Sequence, residues 1–382
     1  MTAMTRARAR EPRRASLLGR LDVILALAVL ALIGLGSVLV WSATRQRQLD
    51  LGLDPQAFLR RHLVNAAVGL VIAGLIALVD HRSLQAYAPL VYLGSCAGLI
   101  AVLSPLGQTI NGAHSWIVLG AGFQVQPSEF AKVALVVGTA MLLADSRDGP
   151  PGTREISMVL ALSAVPIALV LLQPDLGTVL VLVFVVLVVL ALAGAPARWI
   201  VGLLLAGVVV CAGAVQLGVL DTYQLDRFAA FADPTLDPRG VGYNTAQARI
   251  AIGSGGLTGK GLFQGTQTSG RFVPEQQTDF VFTVAGEELG FLGASALLAL
   301  LGVVLWRGLR IATRAGDPFG RLVAGGVVGW WAFQSFVNVG MTLGIMPVTG
   351  LPLPFVSYGG SAMVANLCAV GLLQSVQLRS RE

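Results

Sequence analysis

Residues 175–193 read DLGTVLVLVFVVLVVLALA, a single acid, Asp175, followed by an apolar run with no further charge. A bilayer core takes roughly 20 apolar residues of helix, within a range of about 17–25. The stretch therefore fits a membrane span that opens on Asp175. Working outward, nine more segments qualify, at approximately Asp22–Ser42, Leu63–Val79, Leu84–Leu103, Ser128–Ala144, Ile156–Leu172, Trp199–Leu217, Asp279–Trp306, Leu322–Ile345 and Ser361–Leu378. The first is too long for the apolar region of a signal peptide and is not followed by a clear small-residue cleavage site, so it reads as a span. Open sheet edges and bare loops cannot face lipid. The expected fold is an all-α integral membrane protein, a bundle of ten transmembrane helices.

Composition agrees. Of 382 residues, 55% are hydrophobic and 12% charged, against about 25% charged in a soluble domain. The mean hydropathy is +0.76. These values exclude a disordered chain, a disulfide scaffold and an ordinary soluble enzyme. The formal net charge is +6, but the arginines are spread between apolar runs without interleaved aromatics, which argues against nucleic acid as a partner. Cys96, Cys211 and Cys368 each lie within an apolar run and read as buried small hydrophobes. His62, His81 and His114 show no ligand spacing, so no zinc or haem site is expected. Only Lys132 and Lys260 are lysine; every other basic residue is arginine.

The arginines report topology. With the amino terminus in the cytoplasm, sixteen of the 26 basic residues fall on the cytoplasmic side and nine on the other. That excess places both termini inside. Residues 1–20 read as an arginine-rich cytoplasmic tail, expected to be disordered, and residues 21–382 as the membrane domain. Three distinctive segments then lie outside: Ser104–Pro127, Gly218–Thr278 between the seventh and eighth spans, and Met346–Gly360. The 218–278 segment is far longer than a connector and carries apolar and aromatic residues between glycine clusters. It is expected to fold against the bundle.

The outer segments hold the chemistry-bearing motifs. In Gln126-Pro127-Ser128-Glu129-Phe130-Ala131-Lys132, proline suits a first helical turn, an acid favours the positive end of the helix dipole, and Glu129 and Lys132 share a face. An ionisable pair inside a span is costly and marks a functional site, with helix capping and an internal ion pair as the plainer reading. Gln173-Pro174-Asp175-Leu176-Gly177-Thr178 repeats the design, with capping the stronger reading. Gly253-Ser254-Gly255-Gly256-Leu257-Thr258-Gly259-Lys260-Gly261 invites a phosphate-loop reading that fails, because Ser254 and Gly261 stand where the pattern needs glycine and a hydroxyl. A tight glycine loop is the plain reading and a backbone nest for a diphosphate the sharper one. Asp279 opens the eighth span, where burial would make its carboxylate a better base. Glu287 and Glu288 follow at membrane depth, read evenly as functional acids or as interhelical ties. Residues 346–361, with three prolines and three glycines among apolar residues, fit a re-entrant segment lining a cavity.

Taken in order, Gln-Pro-Ser-Glu at 126–129, Gln-Pro-Asp-Leu-Gly-Thr at 173–178, Pro-Glu-x-x-Thr-Asp-Phe at 274–280 and Leu-Pro-Phe-x-Ser-Tyr-Gly-Gly at 353–360 resemble the SEDS family (shape, elongation, division and sporulation). The likeness covers nearly everything after about Asp22. Residues 250–261, with Gly265-Thr266-Gln267 and Gly350-Leu351-Pro352-Leu353-Pro354, lean toward the elongation subgroup, RodA, over the division subgroup, FtsW. One departure is Ser115, where many relatives carry arginine before the tryptophan.

The resemblance implies ten spans, a large loop between the seventh and eighth, and a multi-pass protein of the bacterial cytoplasmic membrane. It also implies a peptidoglycan glycosyltransferase that polymerises lipid II. A class B penicillin-binding protein transpeptidase would be its activating partner, alongside other elongation-complex membrane proteins. The family's essential aspartate maps to Asp279, and its cavity residues to Glu129, Lys132 and Asp175. Extending a β-1,4 glycan from an α-linked diphosphate inverts the anomeric centre. One displacement then needs a base on the acceptor hydroxyl, here Asp279, and charge relief on the leaving diphosphate, for which Lys132, Lys260 and Arg271 are candidates. Ser357 of the Ser-Tyr-Gly-Gly motif joins them as a substrate-binding candidate. No cofactor is certain and no dedicated metal-ligand set is visible; a divalent cation facing Glu129 and Asp175 stays open. The rivals are a lipid II flippase, the division paralogue with the same chemistry, and a structural scaffold.

Overall fold

The computed structural model describes residues 20–110, 113–120, 123–144, 149–218 and 241–380. The arginine-rich tail up to residue 19, Asn111, Gly112 and the 219–240 part of the long 218–278 segment lie outside the described residues.

Twelve helices and three short strands follow one another among the described residues. The first group is α1 (Val23–Asp50), α2 (Ala57–Leu78) and α3 (His81–Leu103), followed by β1 (Gly107–Ile110), β2 (Ala113–Gly120) and β3 (Phe123–Val125). Next come α4 (Pro127–Ala144), α5 (Thr153–Leu171), α6 (Leu176–Leu192) and α7 (Ala197–Gln216). Then α8 (Val241–Ser254), the single turn α9 (Thr266–Ser269), α10 (Val281–Arg314), α11 (Pro318–Leu343) and α12 (Gly360–Arg379) complete the chain. Nine of these helices are long and apolar enough to cross a membrane, and α6 is a shorter apolar helix of the same kind.

The helix starts obey simple electrostatics. Asp22, Asp175 and Asp317 cap α1, α6 and α11, each accepting a backbone N–H of the first turn. Pro127 and Glu129 open α4 as a proline and an acid in the first turn should. Each segment expected to be a span is occupied by an apolar helix, several with longer ends: α1 runs on to Asp50 and α10 to Arg314.

Three features bear on the sequence expectation, two of them as corrections. The expectation of helices alone is corrected by a small antiparallel sheet, in the order β1-β2-β3, within residues 104–127 of an otherwise mostly helical chain. Residues 241–254 of the long 218–278 segment form α8, which packs against α10 and α11, in line with the expectation that this segment folds against the bundle. Cys211 is exposed, on a helix without buried residues, and Cys368 is half-buried, so only Cys96 is buried as all three were expected to be.

The core sits between α1, α4, α6, α10, α11 and α12. Trp330, Trp331, Leu32, Leu135, Leu182 and Val327 are among its fully buried side chains. By contrast α7 exposes Leu204, Leu205, Val208, Val209 and Val210, the all-round apolar surface of a helix that meets lipid.

Candidate functional site

The segment between α11 and α12, residues 344–359, is the hub of the polar interior. It is non-helical throughout, and its central part, Leu351 and 353–357, is buried, as expected for a re-entrant segment. Backbone so placed must have its polar groups met, and side chains from neighbouring helices meet them. Gln334 of α11 donates from Nε2 to the Pro352 carbonyl at 2.7 Å. Asn338, one turn later on the same helix, donates from Nδ2 to the Leu351 carbonyl at 2.7 Å and to the Asp279 carbonyl at 2.8 Å. Within the segment, the Leu353 N–H donates to Ser357 Oγ at 2.8 Å and the Ser357 N–H to the Leu353 carbonyl at 3.1 Å. Ser357 thus closes a turn; its hydroxyl oxygen serves the fold.

Glu129 and Lys132 enter from α4. Lys132 Nζ lies 2.6 Å from Glu129 Oε1 and 3.0 Å from Gln334 Oε1, and sits 5.4 Å from the centre of the Trp330 ring. Both charges are shut from solvent, with Lys132 0% and Glu129 1% exposed. An ion pair in such a place is tolerated only when both members are held. Gln334 completes it, because its Oε1 also accepts from Trp330 Nε1 at 2.7 Å while its Nε2 holds Pro352. The pair is thereby joined to the hub.

Asp175 acts chiefly as a cap. Its Oδ1 accepts the Thr178 N–H at 3.0 Å and its Oδ2 the Thr178 hydroxyl at 2.8 Å, with Gln126 Nε2 at 3.2 Å. This ties the start of α6 to the residue that precedes α4. The start of α6 also touches the hub: a Cβ on Gly177 would fall 2.6 Å from the Thr349 carbonyl oxygen.

Asp279 stands at the hub, half-buried, one residue before the Phe280 cap of α10. Its carbonyl is held by Asn338, and its Oδ2 lies 3.4 Å from where a Gly350 Cβ would be. The Tyr358 N–H donates to the Gln277 carbonyl at 2.8 Å. The Glu275–Phe280 stretch and the re-entrant segment are therefore stitched together on both flanks of Asp279.

Lys260 and Arg271 have other partners. Lys260 Nζ lies 2.8 Å from Glu287 Oε1 and 2.7 Å from Thr266 Oγ1. Arg271 pairs with Asp50 at the exposed end of α1. The glycines around Lys260 serve a backbone-on-backbone contact. The Lys260 and Gly261 N–H groups donate to the Glu287 and Glu288 carbonyls, and the Phe291 and Leu292 N–H groups donate to the Gly256 and Leu257 carbonyls. At the crossing point Gly290 breaks α10 with φ 68°, and a Cβ there would fall 2.2 Å from the Gly259 nitrogen. Among the described residues, these N–H groups are spent on α10, which supports the plain tight-loop reading of the stretch over the nest.

Glu287 is fully buried and accepts from Lys260 Nζ, the Gln267 and Thr268 N–H groups and the Thr268 hydroxyl, each at 2.8 Å. Glu288 accepts the Ser42 hydroxyl of α1 at 2.6 Å. Glu287 thus holds residues 260–268 to α10, and Glu288 ties α10 to α1. Ser115, the departure from the family pattern, is fully buried in β2.

Sequence reasoning missed Trp330, Gln334 and Asn338. A signal was there: two amides four residues apart inside an apolar span lie on one helix face, and amides at that depth need partners. Among the described residues, no group of three or more His, Cys, Asp or Glu side chains is gathered as a metal site would need.

The comparisons agree with this architecture. A family model for cell cycle proteins, grouping FtsW, RodA and SpoVE, matches residues 23–382. The peptidoglycan glycosyltransferase MrdB of Escherichia coli (strain K12) is 39% identical over 357 residues, covering 93% of each chain. Among solved structures, one described as "Structural coordination of polymerization and crosslinking by a peptidoglycan synthase complex" superposes with a TM-score of 0.77 at 34% identity, covering 95% of this chain and 99% of that one. The rod shape determining protein RodA of Thermus thermophilus superposes with a TM-score of 0.68 at 33% identity, covering 96% and 98%.

Proposed function

The chain belongs to the cell cycle protein family that groups FtsW, RodA and SpoVE, and from that premise we propose that the re-entrant hub is its glycosyl-transfer site. The chain is a multi-pass membrane protein and a peptidoglycan glycosyltransferase; polymerisation of lipid II in cell elongation is our reading of that activity. The finer assignments are our reading. The ten apolar helices all cross the membrane, both termini are cytoplasmic, and the hub opens on the outer face of the bacterial cytoplasmic membrane.

One observation carries the assignment of chemistry. Asp279 is the acid at the hub whose carboxylate stands against Gly350 and whose backbone is fixed by a buried amide. In our mechanism Asp279 takes the proton of the acceptor sugar's 4-hydroxyl as its oxygen attacks the anomeric carbon of the donor. The bond to the diphosphate breaks and the undecaprenyl diphosphate leaves with its electron pair. The α-linkage becomes β. General base catalysis of this kind is typically worth about 10²–10⁴-fold.

Lys132, Lys260 and Arg271 are all ion-paired, with Glu129, Glu287 and Asp50; we assign charge relief on the diphosphate to Lys132 because Gln334 links it to the re-entrant hub. Lys132 acts from behind the hub, its ammonium raising the local potential through Gln334 and Pro352. Glu129 keeps that ammonium in place, and Asp175 braces α6 against the same segment. The transpeptidase partner is a class B penicillin-binding protein, a reading supported by the likeness to a chain from a complex that joins polymerisation to crosslinking.

The test is reconstitution of the chain with such a transpeptidase and lipid II in vesicles. Glycan strands with β-linkages, formed without headgroup scrambling, are expected. Scrambling without polymer would overturn the reading in favour of a flippase.

A further inference from the structure

We infer that Asn338 is a positioning residue for the transfer: it clamps the Asp279 backbone to the re-entrant segment and so sets where the Asp279 carboxylate stands. The inference rests on the reading of Asp279 as the base.

Asn338 is 0% exposed, deep in α11. An asparagine amide has two N–H donors on one nitrogen. Both are used, on the carbonyls of Asp279 and Leu351 at 2.8 and 2.7 Å. Because both partners are acceptors, the amide has one workable orientation; turned over, its oxygen would face two carbonyl oxygens. The clamp therefore has a defined sense that a hydrophobic residue of equal size cannot reproduce.

What it joins is specific. Leu351 follows Gly350, the residue beside the Asp279 carboxylate. The carbonyl and the carboxylate of Asp279 are thus referred to two consecutive residues of the hub, one through Asn338 and one by direct approach. Gln334, four residues earlier and so on the same face, does the matching work at Pro352 and reaches Lys132 with its other end. A single helix face therefore grips two successive hub carbonyls and connects the buried ammonium on one side with Asp279 on the other. Asn338 touches neither donor nor acceptor sugar in this arrangement; it acts through Asp279. Misplacing a reacting group by about 1 Å can cost on the order of 10²-fold in rate, so losing the clamp should lower turnover while leaving donor binding alone.

The experiment uses the full chain purified with its transpeptidase partner and measures kcat and KM for lipid II polymerisation. The variants are Asn338→Ala, Asn338→Asp, Asp279→Asn and the double variant Asn338→Ala with Asp279→Asn. The expected result for Asn338→Ala is a kcat lowered by roughly 10–100-fold with KM nearly unchanged. In the Asp279→Asn background the same substitution should not lower the residual rate further, because nothing is left to position. Asn338→Asp fills the same space but offers oxygen to the two carbonyls, and should lose activity as Asn338→Ala does. It also carries the test should the alanine variant not be recovered folded. Equal losses in both backgrounds, a raised KM with kcat unchanged, or full activity in Asn338→Asp would overturn the inference. If Asp279→Asn is inactive while both Asn338 variants turn over normally, the positioning role alone falls. If Asp279→Asn itself turns over normally, the base assignment falls and takes the clamp with it.

Discussion

Removing the Lys132 ammonium by Lys132→Met should unsettle the protein before any question of catalysis arises. Methionine keeps the length and the apolar stem and deletes only the charged, donating end. Glu129 Oε1 then loses its bond at 2.6 Å, and Glu129 Oε2 has no other hydrogen-bond partner. The carboxylate would be left alone at 1% exposure. Breaking a buried pair in this one-sided way costs about 3–5 kcal/mol, equivalent to roughly 10²–10⁴-fold in the unfolding equilibrium. The contact with the Trp330 ring adds on the order of 0.5–2 kcal/mol. Neutralising the partner as well, with Lys132→Met and Glu129→Gln together, removes the orphaned charge, so most of that loss should return. Unfolding in mixed detergent micelles, followed by tryptophan fluorescence, measures all four proteins of the cycle. Polymerisation of lipid II is then assayed on the stable double variant, where activity should stay low, because the ammonium behind the hub is still missing. A Lys132→Met protein as stable as wild type, or a double variant no more stable than Lys132→Met, would refute the electrostatic reasoning. Full activity in the double variant would reduce the pair to a brace.

Three further outcomes follow from particular contacts. Glu287→Ala strips the acceptor from Lys260, Gln267 and Thr268, so trypsin should cut after Lys260 faster than in wild type; unchanged cleavage would mean that the outer segment is held elsewhere. Gly290→Ala forces a Cβ to within 2.2 Å of the Gly259 nitrogen at a positive φ, and folded protein recovered from membranes should fall sharply; normal yield would contradict the crossing geometry. Between α10 and α11, burial pushes the Asp317 carboxyl up, but the His81 hydrogen bond, the Gly320 N–H and the charges of His81 and Arg82 outweigh it and hold it below its usual value. A depressed carboxyl contributes stability above its unfolded value of about 3.9, and that contribution is lost as pH falls through the lower folded value. Thermal unfolding of wild type against Asp317→Asn should show a gap at pH 7 that closes in strong acid; a gap independent of pH would remove the ion-pair explanation.

Much of this architecture was legible in the chain because lipid imposes a simple rule: a span must be apolar and about twenty residues long. Residues 175–193 obey it so plainly that α6 and its Asp175 cap could be placed within a residue. Breakers made the re-entrant segment equally visible, since three prolines and three glycines cannot continue α11. The sheet was not visible. β1 and β3 are only four and three residues long, and such short runs look like any polar loop, which left the eight-residue β2 without recognisable partners. Partners distant in sequence were also hidden. Lys260 beside glycines suggests a phosphate, and only the folded chain shows Glu287, 27 residues on, claiming the ammonium. Gln334 and Asn338 were overlooked because uncharged amides barely lower the hydropathy of a span, although their spacing puts both on one face.

The most direct test of the whole account is a single-turnover measurement on Asp279→Asn in the complex with its transpeptidase, with lipid II binding measured on the same preparation. The substitution keeps the shape of the side chain and removes its basicity. Donor binding close to wild type with bond formation slowed by at least about 10²-fold is the result predicted for a general base. Bond formation at the wild-type rate would contradict it.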